Sequence, residues 1–275
     1  MAAEVLSGAM EEANGLPRPP GLAAVLIGEN PASETYVRMK SKRCQEIGFH
    51  SVVRHLPKDI PQEEALAEID ALNADEAIDG ILVQLPLPEH LDTEAVQSRI
   101  ELEKDVDGFH PANLGRLFAG TGPLFVPCTP LGCMHMIDST GLDPKGLNAV
   151  VVGRGNLVGR PLSMLLLHRH ATVTICHSRT RDLGGETRRA DILVVATGKI
   201  DLVTADMIKP GAVVIDVGIN RTPDGKIVGD VDFEGAKEVA GYISPVPGGV
   251  GPLTIAMLIK STLASAKRRQ GAAPK

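Results

Sequence analysis

The feature that most constrains this chain is a glycine-rich turn between a β-rich run and a helical run. Residues 150–159 read Val-Val-Val-Gly-Arg-Gly-Asn-Leu-Val-Gly. Glycines in such a turn allow a tight bend and let the backbone approach a pyrophosphate, whose charge is met by free N–H groups and the helix dipole. The last glycine comes one residue later than in the commonest spacing, so a glycine-rich turn without a ligand is the alternative to a dinucleotide site.

The next strand indicates which dinucleotide the turn would bind. An NAD site usually ends its second strand in Asp or Glu, about 20 residues on, which binds the ribose 2′-hydroxyl. Here the strand ends Cys-His-Ser-Arg-Thr at 176–180, and Ser178 and Arg179 can hold a 2′-phosphate instead. Arg154, within the turn, points to the same anion. NADP is therefore predicted as the cofactor, while Asp182, shortly after the strand, leaves NAD open.

Two later loops complete the predicted cofactor site. Thr197 follows the third strand of this half, and Ile219 follows the fourth. Ligands of open α/β sheets bind outside the carboxyl ends of the strands. Both residues are therefore expected to line the nicotinamide side of the crevice. The rest of the cofactor is expected to be bound by the glycine turn and the tip of the second strand, through Gly153, Arg154, Gly155, Ser178 and Arg179.

Alternating β-rich and helical runs predict an α/β fold whose sheets are mainly parallel and covered by helices. The runs of the first half are 22–27, 33–47, 51–56, 62–73 and 80–85; those of the second are 149–152, 158–169, 172–176, a helical stretch around 188, 192–196 and 213–217. The intervening segment 104–132 is dense in Gly, Pro, Asp and Asn and is predicted to be ordered loop. A last helix is predicted over 254–267, with the basic residues 267–269 frayed into solvent.

Composition excludes several classes of protein. Lys and Arg number 28 and Asp and Glu 34, a formal charge of −6, which argues against a general affinity for nucleic acid or anionic membranes. Residues 1–10 lack the basic start of a secretory signal, and no uncharged apolar stretch approaches the roughly 18 residues of a membrane span. A cytoplasmic protein is expected. The scattered cysteines are expected to be reduced and buried, with no metal site: Cys44, Cys128, Cys133 and Cys176.

The first half carries candidates for a chemical site. Tyr36 and Lys40 are spaced i and i+4 on one predicted helix, so they share a face. Taken alone, they would be ordinary surface residues. The buried strand over 80–85 ends in the amide of Gln84, however, and the polar segment 104–111 follows. Polar groups at the tips of apolar elements favour a chemical site.

Together these motifs resemble the methylenetetrahydrofolate dehydrogenase/cyclohydrolase family, from about residue 22 to residue 264. The resemblance rests on Tyr-Val-Arg-Met-Lys at 36–40, Gln-Leu-Pro-Leu-Pro at 84–88, Lys-Asp-Val-Asp-Gly at 104–108, Pro-Cys-Thr-Pro at 127–130, Gly-Arg-Gly at 153–155, Asp-Val-Gly-Ile-Asn at 216–220 and Pro-Val-Pro-Gly-Gly-Val-Gly-Pro at 245–252.

The resemblance implies a catalytic, folate-binding α/β domain over 1–126 and a Rossmann-like NADP-binding domain over 127–249. A C-terminal helix over 250–275 would return to the catalytic domain, with the active-site cleft between the two domains. It also implies a cytoplasmic homodimer that serves one-carbon metabolism and purine biosynthesis. Only about twenty residues precede the first strand, fewer than the usual leading helix of the family needs, and position 155 is Gly where the family more often has Ser.

The implied chemistry is hydride transfer from 5,10-methylenetetrahydrofolate to NADP, followed by hydrolysis of the methenyl product to 10-formyltetrahydrofolate. By matching position, Lys40 is the central catalytic residue, Gln84 its hydrogen-bonding neighbour, Tyr36 a ring that stacks on the folate, and Asp107 the carboxylate that orients the pterin. Pro247, Gly248 and Gly249 form a rigid loop against the pterin or its linker. Desolvation of a lysine beside neutral partners favours proton transfer near neutral pH.

Three alternatives remain open on the sequence. The chain could be a dehydrogenase without cyclohydrolase activity that prefers NAD, an NADP oxidoreductase acting on another small metabolite such as a shikimate-type compound, or a nucleotide sensor without catalysis. The last two leave the polar groups of the first half unexplained.

Overall fold

The computed structural model describes residues 1–271; residues 272–275, which belong to the predicted C-terminal segment, lie outside the described residues. The chain forms two compact units. The first comprises Met1–Val126 together with the chain from Ile255 onward, and the second is Pro127–Thr254. Each unit is built on a sheet of parallel strands, as the alternation of strands and helices predicts.

The first unit has a parallel three-stranded sheet. Its strands are β1 (Gly21–Ile27), β2 (His50–Leu56) and β3 (Gly80–Val83), in the order β2-β1-β3. Its helices are α1 (Ala2–Ala13), α2 (Pro31–Glu46), α3 (Gln62–Ala74), α4 (Thr93–Arg99) and α5 (Pro111–Ala119). All of β1 is buried, as expected for a continuous apolar run at the centre of a parallel sheet. Its side chains pack with those of α3 and α4 in one apolar core, which includes Val25, Ile69 and Val96.

Helix α2 begins two residues before the predicted position because its capping residues precede the apolar pattern. The side chain of Asn30 accepts hydrogen bonds from the N–H groups of Ala32 and Ser33, and Pro31 occupies the first turn, where its missing N–H costs nothing. Val37 and Lys40 lie on the buried side of the helix.

The prediction of ordered loop over 104–132 is wrong for two parts of the segment. Residues 111–119 form α5, and α6 (Cys128–Ser139) begins before the segment ends. The turn-forming residues misled the prediction because they cap α5 rather than break it. Pro111 occupies the first turn, the Nδ1 atom of His110 accepts a hydrogen bond from the N–H of Ala112, and Gly120 ends the helix in the left-handed conformation with φ of 69°.

The second unit has a parallel five-stranded sheet. Its strands are β4 (Asn148–Val152), β5 (Thr172–Cys176), β6 (Ile192–Val195), β7 (Val213–Asp216) and β10 (Tyr242–Ile243), in the order β10-β7-β6-β4-β5. Its helices are α6, α7 (Gly159–His168), α8 (Leu183–Thr187) and α9 (Phe233–Ala236), with a 3₁₀ turn at Ala205–Met207. A short antiparallel hairpin joins β8 (Asn220–Arg221) to β9 (Ile227–Val228). The first strand of the series, β4, thus lies between the second and third, which is the doubly wound strand order 2-1-3-4-5.

The last helix, α10 (Val250–Arg269), extends at both ends beyond the helical run predicted over 254–267. It starts within the Pro-Gly motif, because Pro252 falls in the first turn, where proline is tolerated. The basic residues at its end are not frayed. Lys267 contacts Glu12, and the Arg268 guanidinium lies 5.2 Å from the ring centroid of Phe125. These partners, distant in sequence, keep the last turn helical.

The residues before the first strand, which were expected to be too few for the usual leading helix of the family, form the twelve-residue helix α1. The four cysteines are buried and carry free thiols, as predicted. Within residues 1–271, no helix combines the length and apolar character needed to cross a membrane.

Candidate functional site

The first unit brings Lys40 and Gln84 together. The Lys40 side chain is buried, with 6% of its surface exposed, and its Nζ atom donates a hydrogen bond to Oε1 of Gln84 at 3.0 Å. Gln84 follows β3 directly, and its main-chain N–H donates to Val25 O at 2.9 Å. The Gln84 Nε2 atom donates to Leu85 O at 2.9 Å, so the amide is oriented with its oxygen toward the lysine. The pair therefore joins a helix to the tip of a strand.

Tyr36 lies one turn before Lys40 on α2 and is half-buried. Burial raises the pKa of its phenol, which keeps the ring neutral. A neutral, half-buried ring can pack against a flat ligand. The structure thus leaves Tyr36 available for the role that the resemblance implies, beside the Lys40–Gln84 pair.

Asp107 is half-buried in a loop that two buried charged residues hold, neither of which was given a role of its own from the sequence. On one side, the fully buried Lys104 donates from Nζ to Leu72 O at 3.0 Å, Asn73 O at 2.6 Å and Asp75 O at 2.8 Å. These are carbonyls at the end of α3, which lack partners within the helix. Desolvation lowers the pKa of Lys104.

On the other side, the buried carboxyl group of Asp105 holds the start of α5. It accepts from the N–H groups of Phe109 at 3.1 Å and His110 at 2.8 Å and from Nδ2 of Asn113 at 2.7 Å. Desolvation raises the pKa of Asp105 to about 7, and the nearby charge of Asp107 acts in the same direction. The Lys-Asp-Val-Asp-Gly motif thus begins with two anchors, Lys104 and Asp105, and the carboxylate proposed for substrate, Asp107, follows them.

In the second unit, the glycine turn follows β4 as predicted. Gly153 has φ of 128°, and a Cβ atom there would overlap the carbonyl oxygen of Ala196, so only glycine fits. Arg154 and Gly155 are exposed just before α7 begins at Gly159. A tight turn with exposed backbone ahead of a helix fits the pyrophosphate of a dinucleotide.

The tip of β5 presents Ser178 and Arg179 as exposed side chains. Asp182, which left NAD open in the sequence, accepts a hydrogen bond from Gly185 N at 2.8 Å and caps α8. Because this carboxylate is committed to the helix, the groups left at the strand tip are hydroxyl and guanidinium. That donor set fits a 2′-phosphate better than a ribose hydroxyl.

The remaining predicted residues also lie in the second unit. Thr197 is half-buried after β6, and the side chain of Ile219 is 50% exposed after β7, where an apolar side chain gains from a ligand that covers it. Pro247 and Gly248 are exposed, the Val246–Pro247 peptide is cis, and Gly249 N donates to Pro245 O at 2.9 Å. Across residues 1–271, no cluster of three His, Cys, Asp or Glu side chains is placed to hold a metal ion.

Comparison with known proteins places the chain among folate enzymes. Two family models match it: the catalytic domain of tetrahydrofolate dehydrogenase/cyclohydrolase over residues 1–107, and the NAD(P)-binding domain of the same family over residues 127–270. The bifunctional protein FolD of Moorella thermoacetica is 59% identical over 271 residues, which cover 98% of this chain and 96% of that protein.

Solved structures agree. The bifunctional FolD enzyme of Campylobacter jejuni is similar with a TM-score of 0.95 and 49% identity, over 98% of this chain and 96% of that one. FolD of Trypanosoma brucei, complexed with NADP and an inhibitor, has a TM-score of 0.93 and 40% identity, over 97% and 95%. The chain therefore belongs to the tetrahydrofolate dehydrogenase/cyclohydrolase family.

Proposed function

We propose that this chain oxidises 5,10-methylenetetrahydrofolate with NADP and then hydrolyses the methenyl product to 10-formyltetrahydrofolate. The observation that carries the proposal is the hydrogen bond from buried Lys40 to Gln84, at the tip of a strand and one helical turn from Tyr36. Relatives that are 59% and 60% identical, over 98% and 92% of this chain, are named bifunctional proteins. This supports both reactions over the dehydrogenase alone.

In this proposal, Lys40 serves both reactions from one position. NADP, when bound, accepts the hydride that leaves the methylene carbon. Hydrolysis then requires water to add to the methenyl carbon and a proton to leave that water; the bond from this carbon to N5 then breaks as the formyl carbonyl forms and N5 takes a proton. A lysine at this place can hold or receive a proton at Nζ, and the Gln84 oxygen fixes Nζ without adding a charge. An anionic neighbour would instead stabilise the ammonium form and oppose proton transfer.

In this proposal, further residues position the substrate. Tyr36 stacks on the folate, and Asp107 orients the pterin through its carboxylate, held by the anchored loop described above. Pro247, Gly248 and Gly249 bind the pterin or its linker. We assign substrate binding and catalysis to residues 1–126 and cofactor binding to residues 127–249. The helical segment that begins at residue 250 completes the catalytic domain.

Cofactor choice follows from the strand tip. Gly153, Arg154 and Gly155 bind the pyrophosphate, Ser178 and Arg179 the 2′-phosphate, and Thr197 and Ile219 the nicotinamide side. The enzyme acts as a cytoplasmic homodimer in one-carbon metabolism and supplies formyl groups for purine biosynthesis. A net charge of −6 supports small-molecule substrates rather than nucleic acid or membranes as partners.

The direct test is an assay of the purified chain with 5,10-methylenetetrahydrofolate and either NADP or NAD, following the reduced cofactor, the methenyl product and its hydrolysis. We expect turnover with a preference for NADP and hydrolysis faster than the spontaneous reaction. Methenyl formation without accelerated hydrolysis would identify a monofunctional dehydrogenase, and no methenyl formation would remove the folate assignment.

Cofactor choice has a test of its own in Arg179→Met. Loss of one exposed guanidinium contact to a 2′-phosphate should raise the KM for NADP about tenfold while the KM for NAD stays the same. The matched control is Arg181→Met, an exposed arginine two residues further along. An equal change of both KM values in Arg179→Met would contradict the assignment.

A further inference from the structure

Asp230 is a fully buried carboxylate that accepts hydrogen bonds from the turn following β6. Its Oδ2 atom accepts from the N–H of Thr197 at 2.5 Å, from the Thr197 hydroxyl at 3.0 Å and from Gly198 N at 3.0 Å. Its Oδ1 atom accepts from Lys199 N at 2.9 Å and from Nδ2 of Asn220 at 2.8 Å. Burying a carboxylate is costly unless such donors surround it, so this arrangement fixes three successive backbone N–H groups on one anion.

A second buried carboxylate fixes the backbone that carries the first. Asp216, the last residue of β7, accepts from the N–H groups of Gly218 at 2.9 Å, Asp230 at 3.0 Å and Val231 at 2.9 Å. The backbone of Asp230 is therefore hydrogen-bonded to the end of β7, and Asp216 fixes its position relative to the sheet.

Two glycines make these close approaches possible. A Cβ atom at Gly218 would overlap Oδ1 of Asp230, and a Cβ atom at Gly229 would overlap Oδ2 of Asp216. Each carboxylate thus occupies the space that a side chain on the facing backbone would fill. Each of these close approaches therefore requires glycine on the facing backbone.

The strand order gives the fixed turn a place relative to the cofactor. The glycine turn follows β4, the groups proposed for the 2′-phosphate follow β5 on one side, and β6 and β7 lie on the other side. In folds of this kind the adenosine end lies toward the second strand and the nicotinamide end toward the later strands. The turn held by Asp230 is therefore at the nicotinamide end.

We propose that Asp230 is a positioning residue for the dehydrogenase reaction, which holds the turn Thr197–Lys199 in the conformation that receives the nicotinamide end of NADP. The inference rests on the proposed NADP site. Asp230 itself touches neither cofactor nor substrate in this account, because its oxygens are occupied by the protein's own donors.

The test compares two probes, NADP and adenosine 2′,5′-bisphosphate, which lacks the nicotinamide half. In Asp230→Asn, an amide replaces one acceptor oxygen and confronts the N–H groups of the turn. We expect the Kd for NADP to rise at least about tenfold and the Kd for the bisphosphate to change less than about twofold. The matched control is Asp232→Asn, whose carboxylate accepts from Gly235 N at 3.3 Å and caps only the short helix α9; both Kd values should stay at wild-type levels.

Equal weakening of both probes, or unchanged NADP affinity, would overturn the inference. If Asp230→Asn does not fold, Asn220→Ala removes one donor from Asp230 and should give the same selective loss at smaller size; a non-selective loss there overturns the inference as well. If the wild type binds neither probe, the proposed NADP site is wrong and this inference falls with it. If the wild type binds both probes but the variants lose no NADP affinity relative to the bisphosphate, only this inference is wrong.

Discussion

The most informative single change lies in the glycine turn, at Gly155. The resemblance places a serine at this position in most of the family, and the structure shows room for one: a Cβ atom there would have no neighbour within 4 Å, and the backbone φ is not in the left-handed region. Gly155→Ser should therefore fold normally. It would place a hydroxyl donor in the turn that binds the cofactor phosphates.

The magnitude follows from two opposing terms. A hydrogen bond to a charged group contributes about 1.5–3 kcal/mol, and fixing the serine side chain costs roughly 0.5–1 kcal/mol. The difference, about 0.5–2.5 kcal/mol, corresponds to an affinity for NADP about two- to seventyfold higher than in the wild type. The Kd measured by titration of NADP into each protein checks this value.

The control is Gly155→Ala, which adds the Cβ atom without the hydroxyl and should bind NADP as the wild type does. Gly153→Ala provides the contrast, because its Cβ atom would overlap Ala196 O, and it should lose NADP binding. If Gly155→Ser binds NADP no more tightly than Gly155→Ala, the phosphates are not held at this part of the turn, and the placement of the cofactor is wrong.

Two further predictions concern the anchored loop that carries Asp107. Lys104→Met removes three hydrogen bonds from a fully buried ammonium and should lower the free energy of unfolding by about 2–4 kcal/mol in urea titrations, whereas the exposed control Lys145→Met should change it by less than about 0.5 kcal/mol; equal effects would contradict the anchoring role. Asp105, whose folded-state pKa of about 7 exceeds its ordinary value of 3.8, keeps its proton in the folded protein while the unfolded chain loses it, so its stabilising contribution is complete below pH 4 and lost as the pH rises to 7. Asp105→Asn should therefore flatten the fall in unfolding free energy between pH 4 and pH 7, and identical slopes in variant and wild type would refute the raised pKa.

The hydrogen bond between Lys40 and Gln84 was expected from the resemblance, and local signals in the sequence favour a chemical site at these residues. An i, i+4 spacing places Tyr36 and Lys40 on one helix face, and an amide at the end of an apolar run is readable without knowing the fold. The glycine turn was readable for the same reason. The parallel sheets follow from alternation alone.

The anchors were not predicted because their partners are remote. Lys104 binds carbonyls 29–32 residues away, and the role of Asp230 depends on a turn more than thirty residues earlier. The basic end of α10 was predicted to fray because its partner Glu12 lies 255 residues away. One signal for Asp230 was present nonetheless. Gly218 and Gly229 stand close in sequence to Asp216 and Asp230, and a glycine leaves space for a carboxylate to approach the backbone.

The misassignment of 104–132 has a different origin. Proline and glycine were taken as loop formers, but at the first turn and the end of α5 they are capping residues. Their positions relative to the buried Asn113 and Leu117 distinguish the two cases, and that comparison requires the helical period to be examined inside a segment rich in turn formers.

The central claim is that one lysine serves both reactions, and Lys40→Met tests it most directly. The variant keeps the length of the side chain but has no proton to hold at the position 3.0 Å from Gln84 Oε1. Dehydrogenase and cyclohydrolase rates should both fall at least about a hundredfold, the contribution typical of general acid–base catalysis, while the Kd for NADP stays the same. The matched control is Lys42→Met, an exposed lysine on the same helix, which should keep both rates. Near-normal cyclohydrolase activity in Lys40→Met, with NADP binding intact, would contradict the account.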